Sequence, residues 1–166
     1  MGLDISYGKI VKEKELNEDL EIHYDNEELI INQPFKFQLG SLKEDKAYET
    51  EMIGSFCAGS YGGYNGWRER LFSLVNDGNI QEYWDKSNDL IEKYLEINLL
   101  NESEPFFELI NFSDCEGVIG PEVSNKLHID FETYNNLAKE RMDDYDYDLY
   151  QKFMKATGNN KIICFH

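Results

Sequence analysis

Arginine, cysteine, histidine and proline each occur only three times in this chain of 166 residues. Each scarcity excludes something. Cys57, Cys115 and Cys164 are odd in number and far apart, so neither a disulfide scaffold nor a cysteine-rich zinc motif can be built. Prolines at 34, 105 and 121 are too scattered to form a linker, and no internal repeat is present, so the reading is one globular domain over 1–166. No apolar run approaches the roughly 18 residues that cross a bilayer. The opening MGLDISYGKI lacks a basic stretch followed by an apolar one. The expectation is a cytoplasmic protein without a membrane partner. Basic residues are the other shortage: 16 against 33 acids, a net charge of −17. That field repels free nucleic acid, so direct nucleic-acid binding is not expected. The acidity either solvates the surface or mimics nucleic acid toward a basic protein partner.

What the chain does contain is pattern. Leu3, Ile5 and Tyr7 alternate with polar or small residues and predict a strand. Leu20–Tyr24 and Glu28–Asn32 predict two more, Gln33–Thr50 a loop with an embedded turn, and Glu51–Phe56 a short strand. Tyr64, Trp67, Leu71, Leu74 and Val75 recur at helical spacing until Asn76-Asp77-Gly78. A second helix is predicted over Ile80–Glu96, and a strand over Phe106–Phe112 after Pro105. Pro121 suits the first turn of a helix carrying Val123, Leu127, Phe131 and Tyr134. A last helix, Asp143–Thr157, starts among acids, is stopped by Gly158, and is followed by a strand, Lys161–Phe165. Strands at both ends without βαβ alternation predict an α+β fold. The sheet should be mixed or mostly antiparallel, with helices from the second half packed on one face.

Two segments concentrate chemistry. The first, Phe56–Arg70, places four glycines within eight residues between a strand and a helix, followed by two of the three arginines. Glycines let main-chain N–H groups approach a ligand, and arginine suits phosphate because its planar fork bonds bidentately. The spacing is neither a P-loop nor a dinucleotide fingerprint. Trp67 shares the Leu71 face and reads first as core. The second segment, Asn111–Pro121, crowds Ser113, Asp114, Cys115 and Glu116 at a predicted strand exit. Two carboxylates fall short of a metal site, but they could pair with Arg68 or Arg70. Cys115 as a nucleophile would need a histidine beside it, and His23, His128 and His166 are all remote in sequence. His166 reads as a solvated terminus.

With these motifs the chain resembles an uncharacterised family of small bacterial and bacteriophage proteins. The resemblance rests on Met1–Ile5, Phe56–Arg68, Leu109–Pro121 and Phe165–His166, about a fifth of the chain. Two positions depart from the family pattern: Cys57 stands where arginine is expected, and Gly66 where alanine is usual. The resemblance implies a bacterial or phage setting, hence a bacterial host cytoplasm, and implies that the two segments belong together. It implies no activity.

The expected function is non-catalytic binding of a small polar, nucleotide-like ligand, in a phage setting the sequestration of a host nucleotide signal as counter-defence. The candidate ligand-binding residues are Ser60, Tyr61, Tyr64, Asn65, Trp67, Arg68, Asn111, Ser113, Asp114 and Glu116. No catalytic residue, metal or cofactor is assigned, and homo-oligomers are compatible with the reading. Two alternatives stand beside it. One is an acidic interaction module or nucleic-acid mimic, with Asp143–Asp148 as its charged feature. The other is a hydrolase using Asp114 and Glu116 as acid and base.

Overall fold

Leu3, Ile5 and Tyr7 do lie on one face of a strand, and that strand is the centre of the fold. The computed structural model describes residues 2–15, 28–31, 36–44, 46–86, 104–112 and 116–166. The strands are β1 (Gly2–Glu15), β2 (Glu28–Ile30), β3 (Lys46–Ser60), β4 (Gly117–Ile119) and β5 (Lys161–Phe165). They form one sheet in the order β2-β3-β1-β5-β4, and every neighbouring pair is antiparallel. The helices are α1 (Tyr61–Val75), α2 (described over residues 80–86), α3 (Phe107–Ile110), α4 (Pro121–Arg141) and α5 (Asp144–Ala156). The fold is α+β. No described helix is long and apolar enough to cross a membrane. The predicted strand Leu20–Tyr24 and the second helix beyond residue 86 lie outside the described residues.

The helices cover one face of the sheet. Leu3, Ile5, Ala58, Ile119, Ile163 and Phe165 point into a core shared with Trp67 and Leu71 of α1, Leu127 and Phe131 of α4, and Tyr150 and Phe153 of α5. The other face is covered as well. Tyr48, Val118, Ile162 and Cys164 pack there beneath Ile31, Leu39 and Leu42. Strand β5 is thus buried on both sides, which is why Ile162–Phe165 is a continuous apolar run.

Segment by segment, three expectations change. The stretch Gln33–Thr50 does contain a turn, the 3₁₀ turn Lys36–Gln38, but its end is not loop, because β3 begins at Lys46. The predicted strand Phe106–Phe112 is instead the short helix α3, entered through Phe106 in the left-handed region at φ 58°. Phe106, Phe107, Leu109, Ile110 and Phe112 are all buried. A run buried on every side carries no period that separates strand from helix. Asp130 of α4 fixes the entry by accepting from the Phe106 N–H at 3.0 Å. The third change is β4, which the sequence pattern does not announce.

Helix α4 starts at Gly120, its N-cap, with Pro121 in the first turn. The Gly120 N–H donates to the Gln38 carbonyl at 2.8 Å, and a side chain at 120 would overlap the Leu39 carbonyl. This contact brings the segment of the second core against the start of α4. Replacing Gly120 with Ala should therefore cost about 1–3 kcal/mol, because two backbones must separate. Urea denaturation would check it. An unchanged midpoint would show that the approach is not tight.

Candidate functional site

Strand β3 runs straight into α1, so the glycine-rich segment is a junction and not a loop. Ser60 is the N-cap, its Oγ accepting from the Gly63 N–H at 3.1 Å. Gly59 precedes it at φ +89°, against the Tyr145 hydroxyl of α5. Tyr61 and Asn65 are exposed on the first turns. Tyr64, Trp67 and Arg68 point inward and are buried.

Trp67 is core, and its indole N–H donates to the Asp146 carbonyl at 3.1 Å. Arg68 is only 3% exposed. Its Nε donates to the Leu109 and Ile110 carbonyls, each at 3.1 Å, and Nη2 donates to Ile110 as well. Nη1 donates to Asn65 Oδ1 at 2.8 Å. The Trp84 ring of α2 lies 5.3 Å from the guanidinium carbon, and the Trp84 N–H also donates to Ile110 O, at 3.2 Å. Asn111 continues the junction through Tyr83 Oη and Phe107 O, at 3.1 and 2.9 Å. Arg68 therefore ties α1 to the end of α3, where carbonyls lack helical partners. Burial lowers its pKa, while Tyr64 and Glu69 raise it.

Arg68 meets the motif that begins at Leu109 through the Leu109 and Ile110 carbonyls, and the expected pair with Asp114 lies outside the described residues. Arg70 takes the Asp146 carboxylate of α5: Nη2 reaches Oδ1 at 2.9 Å and Nε reaches Oδ2. The arginine is half exposed, whereas the Asp146 side chain is buried. Glu116 is exposed, and no ion pair involves it among the described residues. Ser113, Asp114 and Cys115 lie outside the described residues. Sequence reasoning missed Asp146, Trp84 and Tyr83. One signal was available: Asp146, Leu149, Tyr150 and Phe153 sit at helical spacing, so the acid lies on the apolar stripe. The same spacing holds for Tyr64, Trp67, Arg68 and Leu71.

Tyr64 is the unusual member. Its ring stacks with Trp67 at 5.9 Å and Phe153 at 6.2 Å, and it is 1% exposed. Its hydroxyl is buried and has no hydrogen-bond partner among the described residues. Burial raises its pKa strongly, an effect that Arg68 opposes, so the phenol stays neutral and able to donate.

The histidines are engaged elsewhere or lie outside the description. His128 Nδ1 is 3.0 Å from the Met154 carbonyl and 3.2 Å from Thr157 Oγ1. His166 is exposed, but not merely solvated: its Nε2 lies 2.7 Å from Ser6 Oγ, and its backbone pairs with Asp4. His23 is outside the described residues. No described cluster of three or more His, Cys, Asp or Glu could hold a metal.

The described thiols differ sharply. Cys57 is exposed, while Cys164 is buried, and burial pushes its thiol up to about 12. In a Cys115→Ser background, one thiol should react with a disulfide reagent at pH 8 in the native protein, and the second only after denaturation. Two fast thiols would contradict the burial of Cys164.

No protein-family model matches the chain, and neither a curated protein nor a solved structure matches it.

Proposed function

We propose that the protein is a non-catalytic binding protein for a small polar ligand held where α1 meets the end of α3. The Tyr64 hydroxyl carries this reading. A buried polar group without a partner costs about 1–3 kcal/mol, and native structures keep few of them. A ligand acceptor would satisfy it. Tyr64 stands one turn before Arg68 on the same face of α1, and exposed Asn65 bonds the same guanidinium. Ser60 caps α1, Trp67 bonds the Asp146 carbonyl and Asn111 bonds Tyr83 and Phe107.

Nucleotide-like ligands suit a site of aromatic rings, arginine and hydroxyl donors. The bacterial and phage resemblance favours a host nucleotide signal among them. Calorimetry of the whole chain with cyclic nucleotides and cyclic ADP-ribose isomers tests the reading. Heat with at least one, lost on Tyr64→Phe, is expected. Absence of heat with all of them would leave the proposal without its ligand class.

The interaction-module reading draws less from the structure. In the Asp143–Asp148 run, Asp143 caps α5, Asp146 pairs with Arg70 and Asp148 pairs with Lys152. Asp146 alone of these acids is buried, and Asp143, Asp144 and Asp148 are exposed.

A further inference from the structure

The N–H groups of Arg68 narrow the ligand's chemistry. A guanidinium has five N–H bonds. Nε, Nη1 and Nη2 each direct one at the carbonyl and amide oxygens of Leu109, Ile110 and Asn65. Among the described residues, one N–H on Nη1 and one on Nη2 have no partner. All of these partners are neutral, and among the described residues no carboxylate forms an ion pair with Arg68. This cation is 3% exposed and has no carboxylate in ion-pair contact among the described residues, in a chain with 33 acids. The other acid–base contacts in this part of the fold are matched: Arg70 with Asp146, and Lys126 with Glu108 and Asp130.

We infer that the ligand is anchored by one oxyanion, a phosphate or carboxylate, taken by the two remaining Arg68 N–H groups and the Tyr64 hydroxyl. The inference rests on the binding reading above. Trp84 lies against the guanidinium, so the anion approaches in the guanidinium plane, where a two-oxygen group can accept from both nitrogens. Desolvation strengthens such contacts. Neutral Tyr64 supplies a donor where a second cation would be expensive to bury. Phosphate and carboxylate share this chemistry, and so do free phosphate and the phosphate of a nucleotide.

The test uses the full chain with four probes at constant ionic strength: inorganic phosphate, acetate, AMP and adenosine. Phosphate or acetate should bind measurably, and AMP more tightly than adenosine by at least about tenfold. Whichever of phosphate and acetate binds identifies the oxyanion. Arg68→Lys keeps the charge but loses the fork and should weaken the anion about tenfold or more. If that variant fails to fold, Tyr64→Phe serves alone, since its lost hydroxyl makes no hydrogen bond among the described residues, and it should weaken the anion by several-fold. Glu140→Gln, exposed near the end of α4, should leave affinity within about twofold. Equal binding of AMP and adenosine, or anion binding unchanged by Tyr64→Phe, would overturn the oxyanion while leaving a ligand site. No binding of any of these probes or of the nucleotide panel would remove the site itself.

Discussion

Phe153→Ala should destabilise the protein by about 3–5 kcal/mol. Phe153 is fully buried on α5 where the helical layer meets the sheet. Its ring stacks on Trp67 at 4.9 Å and 14°, and meets Phe56 edge-on at 5.1 Å and 84°. Tyr64, Phe131 and Phe165 stand between 6.2 and 6.4 Å away. One residue therefore joins α1, α4, α5, β3 and β5. Truncation loses the transfer free energy of the ring and leaves a space lined by rigid aromatics. Those neighbours cannot collapse into it easily, so the cost belongs at the upper part of the range. Typical domains are stable by only roughly 5–15 kcal/mol, so a large share would be lost. Urea denaturation should show a lower midpoint with little change in slope. The neighbouring substitution Lys152→Ala, at a largely exposed ion pair with Asp148, should stay within about 0.5 kcal/mol. A loss under about 1 kcal/mol for Phe153→Ala would mean that the aromatic cluster does not hold the layers together.

Phe153 was readable as core because α5 is amphipathic and bounded by strong punctuation. Asp143 as cap and Gly158 as stop locate that helix, and the same holds for Pro121 at the start of α4. Strand β5 was equally legible, since Lys161–Phe165 is short, apolar and follows a turn. Periodicity failed where burial is on all sides. Phe106–Phe112 has no polar face to phase it, so helix and strand look alike. The second core was hidden for another reason. Tyr48, Leu39 and Leu42 are separated by polar residues, and only the sheet's far face brings them together.

For the site, rarity was the useful signal. Two arginines within three residues, beside glycines and tyrosines, located a real junction. Their partners were not legible. Arg68 bonds main-chain carbonyls, which leave no trace in side-chain identity. Arg70 pairs with an acid 76 positions away. Asp146 read as helix-dipole charge, although its place on the apolar stripe marks it for burial. A charged residue in phase with a helix's apolar face needs a partner, and here Asp146 and Arg68 both follow that rule.

Arg68 also yields the second large effect. Arg68→Met should cost about 3 kcal/mol, and Arg68→Lys at least as much. Methionine fills similar space and removes the charge that burial penalises. It also removes the donors to Leu109 O and Asn65 Oδ1, although the Trp84 N–H still serves Ile110 O. Lysine is the worse substitute. It keeps a charge to be desolvated, carries no planar fork, and offers a strongly hydrated ammonium to oxygens arranged for a guanidinium. The pH dependence separates the two variants. Burial lowers the pKa of Arg68, and the same burial would lower that of a lysine placed there. Near and above that lowered pKa, the unfolded chain binds more protons than the folded one, so folding stability rises with pH. Arg68→Lys should therefore recover stability relative to Arg68→Met as pH rises toward about 10, the ordinary lysine range. Urea denaturation of both variants across pH 7–10 measures this. Parallel curves would mean that the side chain at 68 reaches water and that the cation at this junction is not buried.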